Sequence, residues 1–284
     1  MDQEMQHVRE ASVADLVSSG RDLVDEGKKH DALTILGLAL NRDPDHVDAL
    51  RLRGAVFLEL GWIDRALADF DHIILLHPSC TACYFERGMV NLRSGDATAA
   101  MADLSTCLSL DPEFAPARAS RAALLLQAQR YEEALAEVTR AAAARPDHDG
   151  DIHNRAVVLS HLGRYEEAIK EYERALALNP CSGGTHNNLA WLLATSRDPA
   201  LRDGARAVQH ARRAVELGNN DAWMDTLAAA QAECGDFATA VRTETEAYRL
   251  SGGKNGAFLE RIDIYRWGLS YADWSEARRR HECI

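Results

Sequence analysis

Five prolines, Pro44, Pro78, Pro112, Pro146 and Pro180, recur every 34 residues. A fixed period of that length marks an array in which each unit is one supersecondary piece stacked on its neighbour. Taking each proline as position 32, the units run without gaps over 13–46, 47–80, 81–114, 115–148 and 149–182. Position 8 is Gly20, Gly54, Gly88, Ala122 and Ala156, and position 20 is Ala32, Ala66, Ala100, Ala134 and Ala168. Position 27 is nearly as strict, with Ala39, Ile73, Cys107, Ala141 and Ala175. Small side chains at these points let two helices approach closely, while Leu67, Phe70, Leu104, Tyr131, Tyr165 and Tyr172 fill the gaps beside them.

Each unit therefore reads as a helical hairpin. Gly27, Gly61, Gly95 and Gly163 stand at the turn, where positive φ ends a first helix. The fourth unit has Gln129 there and must turn at some cost or with an altered cap. The proline closes the second helix, because it neither donates to a helix interior nor lets the residue before it stay helical. After Ser182 the register slips. Ala190 keeps its small position, but Ala207, Ala211 and Ala214 fall five residues late, so an insertion over 196–204 lengthens the turn of a sixth unit, 183–220. Pro199 breaks the chain there and Asp203 is placed to cap the next helix. A seventh unit, 221–253, returns to register with Ala228, Gly235, Ala240 and Ala247. Beyond the flexible SGGKNG, residues 254–284 read as one capping helix carrying Phe258, Ile262, Ile264, Tyr265 and Trp267, then a solvated tail containing Arg278, Arg279 and Arg280. Trp267 and Trp274 are the alternative there, as a docking surface. Residues 1–12 read as a frayed lead-in.

On these residues the chain resembles the tetratricopeptide-repeat family from about Val13 to Gly253, and the LAWLLATSRDPALRDGARAV stretch resembles the terminal repeats of bacterial members. The resemblance implies an all-α solenoid of about seven hairpins wound into a right-handed superhelix, with first helices lining a concave groove that binds proteins or extended peptides. It places Ser120, His153, Asn154, Val157, His161, Asn187, Asn188, Trp191 and Thr226 in that groove. Ser120, Asn154, Asn188 and Thr226 make a polar row at one repeat position, where an amide can pair with a peptide backbone. Trp191 beside Asn187 and Asn188 reads either as an anchor for a ligand side chain or as packing against the next hairpin. His153 and His161, near the same groove, would make binding pH-dependent if they are not simply solvated. The Lys and Asn set with which some members clamp a chaperone's terminal carboxylate is missing.

A formal charge of -12 argues against counterion-driven nucleic-acid binding. The charged opening lacks the apolar run of a secretory signal, and no stretch approaches the roughly 20 apolar residues that span a bilayer, so the reading is a cytoplasmic protein. Six scattered cysteines in a chain with its own core point to reduced thiols. His72, His77, Cys80 and Cys83 form the one constellation with metal-ligand spacing, a single weak match to a zinc site or a redox dithiol. No phosphate loop or nucleophile–base arrangement stands out, so no cofactor and no catalysis are expected. The function expected is that of an adaptor; the alternatives are a subunit that positions substrate for a separate enzyme and a small metal or redox protein.

Overall fold

The structure, a computed structural model, describes residues 11–282, with side chains through Arg279. Apart from Ala11 and Ser12, the lead-in lies outside the described residues. The described chain is helical throughout, with no strand. It divides into two compact units, one up to Leu124 and one from Leu125 onward.

In the first unit, α1 (Val13–Asp25) packs on α2 (Lys29–Arg42), α3 (Val47–Glu59) on α4 (Ile63–Leu76), and α5 (Thr81–Ser94) on α6 (Ala97–Leu110). First helices also touch one another, α1 on α3 and α3 on α5. Helix α7 (Ala115–Gln127) spans the boundary. The small positions sit where the hairpins are closest. Added Cβ atoms on Gly20 and Gly54 would come within 2.8 Å of Leu36 and 3.0 Å of Phe70. Ala32, Ala66 and Ala100 are wholly buried. Each second helix stops two residues before its proline, and the intervening Asp43, His77 and Asp111 are extended, as the ring of a following proline requires.

The sequence reading did not anticipate a polar cross-brace inside several of the hairpins. Arg53 meets the buried Asp69 at 2.6 Å, and Arg87 meets the buried Asp103 at 2.6 Å while also reaching Asp71. Arg155 repeats this with Glu171 in the second unit, at 2.5 Å. An arginine followed 16 residues later by a carboxylate is the signal, and Arg121 with Glu137 carries the same residues.

The second unit holds α8 (Tyr131–Ala144), α9 (Asp149–His161), α10 (Tyr165–Leu178), α11 (Gly183–Thr195), α12 (Gly204–Leu217), α13 (Asp221–Glu233), α14 (Phe237–Leu250), α15 (Gly256–Arg266) and α16 (Tyr271–Glu282). Helices α9 and α10, α11 and α12, and α13 and α14 pack pairwise, and first helices α9, α11 and α13 lie side by side. The extended turn before α12 contains one short 3-10 turn, Pro199–Leu201, capped by Asp198, and Asp203 caps α12 by accepting from Arg206 N at 3.0 Å. The end of the chain departs from expectation. The segment read as a tail is helical, and α16 does not pair mainly with α15 but turns back onto α11 and α13. Its Tyr271 and the buried Ala272 seat it there, and Arg278 stacks over Trp274 instead of standing free in solvent.

The cysteines also differ from expectation. Cys80 and Cys83 are joined in a disulfide. Cys80 is the N-cap of α5 and Cys83 lies on its first turn, which brings their Cα atoms to 5.4 Å, a spacing a disulfide spans. Cys107, Cys181 and Cys234 carry free thiols.

Candidate functional site

The face made by α9, α11 and the returning α16 carries a half-open cavity of about 450 Å³. Four of the expected groove residues line it: Val157 and His161 from α9, and Asn188 and Trp191 from α11. Their spacing follows from helix geometry, since positions three or four apart share a face. Tyr165 and Tyr172 of α10, Ser196 and Arg197 of the extended turn, and Tyr271, Ser275 and Arg279 of α16 complete the lining.

Each wall is held from behind. The His161 ring stacks on Tyr131, with centroids 5.4 Å apart and planes 19° apart. Trp191 packs against Tyr271 at 5.6 Å, and the Arg261 guanidinium lies 5.8 Å from the indole and 5.3 Å from the Tyr271 ring. Trp191 is thus packed on one side and lines the cavity with the other, and its packing partner comes from α16 and not from the next hairpin. Tyr172 is buried, and that burial raises its phenol, opposed by hydrogen bonds with Ser160 and Asn188.

The other expected residues are placed differently. His153 bonds Thr185 Oγ1 at 2.9 Å and tilts against Tyr172; burial pushes its imidazole below the usual range, against the pull of Asp149. It is a packing residue beside the cavity. Asn187 donates to Asn188 Oδ1 at 3.3 Å. Asn154 is half-buried on α9. Thr226 is 3% exposed and donates inward to Ala222 O, so the polar row ends at Asn188. Ser120 belongs to the first unit and donates to Met89 Sδ at 3.5 Å. The candidate metal residues do not converge either. The Cys80 and Cys83 thiols are spent in the disulfide, His72 bonds Asp45 at 2.7 Å, and His77 is an exposed helix cap. No cluster of three metal-ligating side chains occurs among the described residues.

Sequence reasoning missed the contributions of Arg197 and of α16. Arg197 lies in an insertion that breaks the repeat pattern, and α16 has too few apolar residues at helical spacing to announce a docked face.

Hairpins joined in this way, with small residues at their crossings, narrow the fold to one family. Tetratricopeptide-repeat models match residues 18–74, 63–126 and 152–180. The chain is a tetratricopeptide-repeat protein. Among solved structures it is similar to a tetratricopeptide-repeat protein of Parabacteroides merdae, with a TM-score of 0.66, 17% identity, and 89% of this chain and 98% of that one covered. PilF of Pseudomonas aeruginosa gives a TM-score of 0.66 at 19% identity, covering 79% and 99%. The APC/C hetero-tetramer Cut9–Hcn1 gives 0.68 at 15% identity, where the match spans 79% of this chain and 44% of that one. Comparison with curated proteins returned no match. At these identities the structural likeness shows the fold alone. Tetratricopeptide-repeat proteins are in general non-enzymatic protein-interaction scaffolds. Among the described residues of this one, no helix is long and apolar enough to cross a membrane.

Proposed function

We propose that the protein is a cytoplasmic, non-enzymatic adaptor that holds an extended peptide or a segment of a partner protein on the α9–α11 face. The observation that carries this reading is the cavity where Val157, His161, Asn188 and Trp191 meet. Aromatic walls interleaved with polar groups that can fix a ligand's orientation suit a recognition site. The half-buried amides of Asn154 and Asn188 suit a peptide backbone, since each can donate and accept at once. A metal site loses its support with the Cys80 and Cys83 thiols closed as a disulfide.

The test is to isolate the natural partner from the source cell and measure its affinity for the wild type and for Asn154→Ala with Asn188→Ala. Two hydrogen bonds of about 1 kcal/mol each predict a loss of roughly tenfold or more, with thermal unfolding little changed. Undiminished affinity contradicts the reading.

A further inference from the structure

The cavity is more selective than a generic groove, because the parts of the chain that break the repeat pattern build much of it. Aromatic rings line it: Trp191, Tyr165 and Tyr172 from the repeat helices, and Tyr271 from α16. Its volume of about 450 Å³ falls within the about 300–1,000 Å³ of ligand pockets. The charges that line it are of one sign, although Glu166 and Glu167 share an adjoining pocket with Arg197. The chain as a whole carries -12, yet no carboxylate lines the cavity, while Arg197 and Arg279 stand at its rim, both exposed. Neither makes an ion pair among the described residues, whereas arginines nearby do, Arg202 with Asp273 and Arg206 with Glu173. The adjacent Asp198 is turned to its own turn, where it accepts from Ala200 N at 2.9 Å. The neighbouring Glu167 is taken by Arg164 at 2.7 Å. The two arginines come from different elements, one from the extended turn and one from α16. Arg202, paired with Asp273 at 3.0 Å, fixes those two elements to each other.

An aromatic cup with a cationic rim takes a ring and an anion in one ligand. A guanidinium suits a carboxylate by its forked donors, and a ring gains offset or edge contacts against other rings. Resting on the reading that this face holds a peptide, we propose that the cavity receives an aromatic side chain of that peptide, flanked in sequence by a carboxylate that meets Arg197 and Arg279. The acidic balance of the rest of the chain then disfavours peptides that are acidic throughout. The ligand is a local acidic–aromatic pair.

The experiment uses the full chain and three fluorescein-labelled Gly/Ser peptides with capped ends, carrying the cores Asp-Phe-Asp, Lys-Phe-Lys and Asp-Ala-Asp, read by anisotropy. We expect the acidic aromatic peptide to bind at least tenfold tighter than either control. Arg197→Glu with Arg279→Glu should cost it at least tenfold while improving the Lys-Phe-Lys peptide, a reversal that simple loss of folding cannot produce. Equal affinity for the three peptides, no binding, or an unchanged preference in the charge-reversed variant would overturn the proposal. N-acetylphenylalanine binding as tightly as the peptide would overturn the peptide as the ligand class. Full capture of the natural partner by the charge-reversed variant, when Asn154→Ala with Asn188→Ala loses it, removes this subsite and leaves the adaptor reading standing. The opposite pattern removes the amide contacts from the adaptor reading and keeps the cavity as the partner's site.

Discussion

Gln129 is the clearest case of a single residue held against its own preference. It stands where five other units have glycine, and it adopts φ +58, the one non-glycine residue in the left-handed region among those described. The hairpin geometry outweighs the local cost, because the turn is set by helices already packed on both sides. Left-handed backbone costs an ordinary residue about 1–2 kcal/mol, so Gln129→Gly is expected to stabilise the protein by about 1 kcal/mol, seen as a rise in urea midpoint. A second such residue is Glu244, fully buried on α14. Asp225 of α13 and Arg261 and Tyr265 of α15 surround it, with Arg261 3.8 Å away and nearer to Asp225, at 3.1 Å. Burial first, and then the neighbouring Asp225 carboxylate, push the Glu244 carboxyl up to about 9, against the pull of Arg261. The sign follows. A carboxyl raised in the folded state stabilises fully below the ordinary glutamate range, and that contribution is lost as pH climbs toward about 9. Wild-type stability is therefore expected to fall between about pH 5 and about pH 8, by at most about 1.4 kcal/mol per unit from this group. Glu244→Gln is expected to flatten that slope in denaturant titrations at the two pH values.

Among the elements, α16 carries the most consequence. It is short, and its place depends on a few contacts: Tyr271 on Trp191, and Asp273 with Arg202. Arg202 is 13% exposed at its side chain and also lies 3.5 Å from Glu233 of α13, so it ties the extended turn to two helices. Partly buried pairs of this kind are costly to break from one side. Arg202→Ala is expected to raise amide exchange through 271–282 by tenfold or more while leaving α9 and α10 protected, and equal protection in both proteins would contradict this role. The hairpins themselves were readable in the sequence because each uses the same three small positions and one proline. Helix α16 was not, since its docking rests on Tyr271, Ala272 and Trp274 and on the Arg202–Asp273 pair, with partners far along the chain. The same holds for the Cys80–Cys83 disulfide: the spacing was visible, but only the N-cap placement of Cys80 turns the two side chains toward each other.

For the molecule as a whole, the regular hairpins supply a stacked scaffold, and what is individual collects in the second unit at the extended turn and the chain end. Part of the cavity was legible. Val157, His161, Asn188 and Trp191 fall at the positions that the family pattern turns toward a ligand. Thr226 and His153 share the pattern but are claimed by packing, because the chain end covers α13 and Thr185 reaches His153. Repeat position alone does not tell a covered first helix from an open one. The central claim, that the α9–α11 face receives the partner, is tested most directly by site-specific photocross-linking in the source cell. With p-benzoylphenylalanine at Val157, on that face, or at the exposed Glu173 of α10, the account predicts a partner adduct from position 157 and none from position 173. An adduct from position 173 with none from position 157 would contradict it.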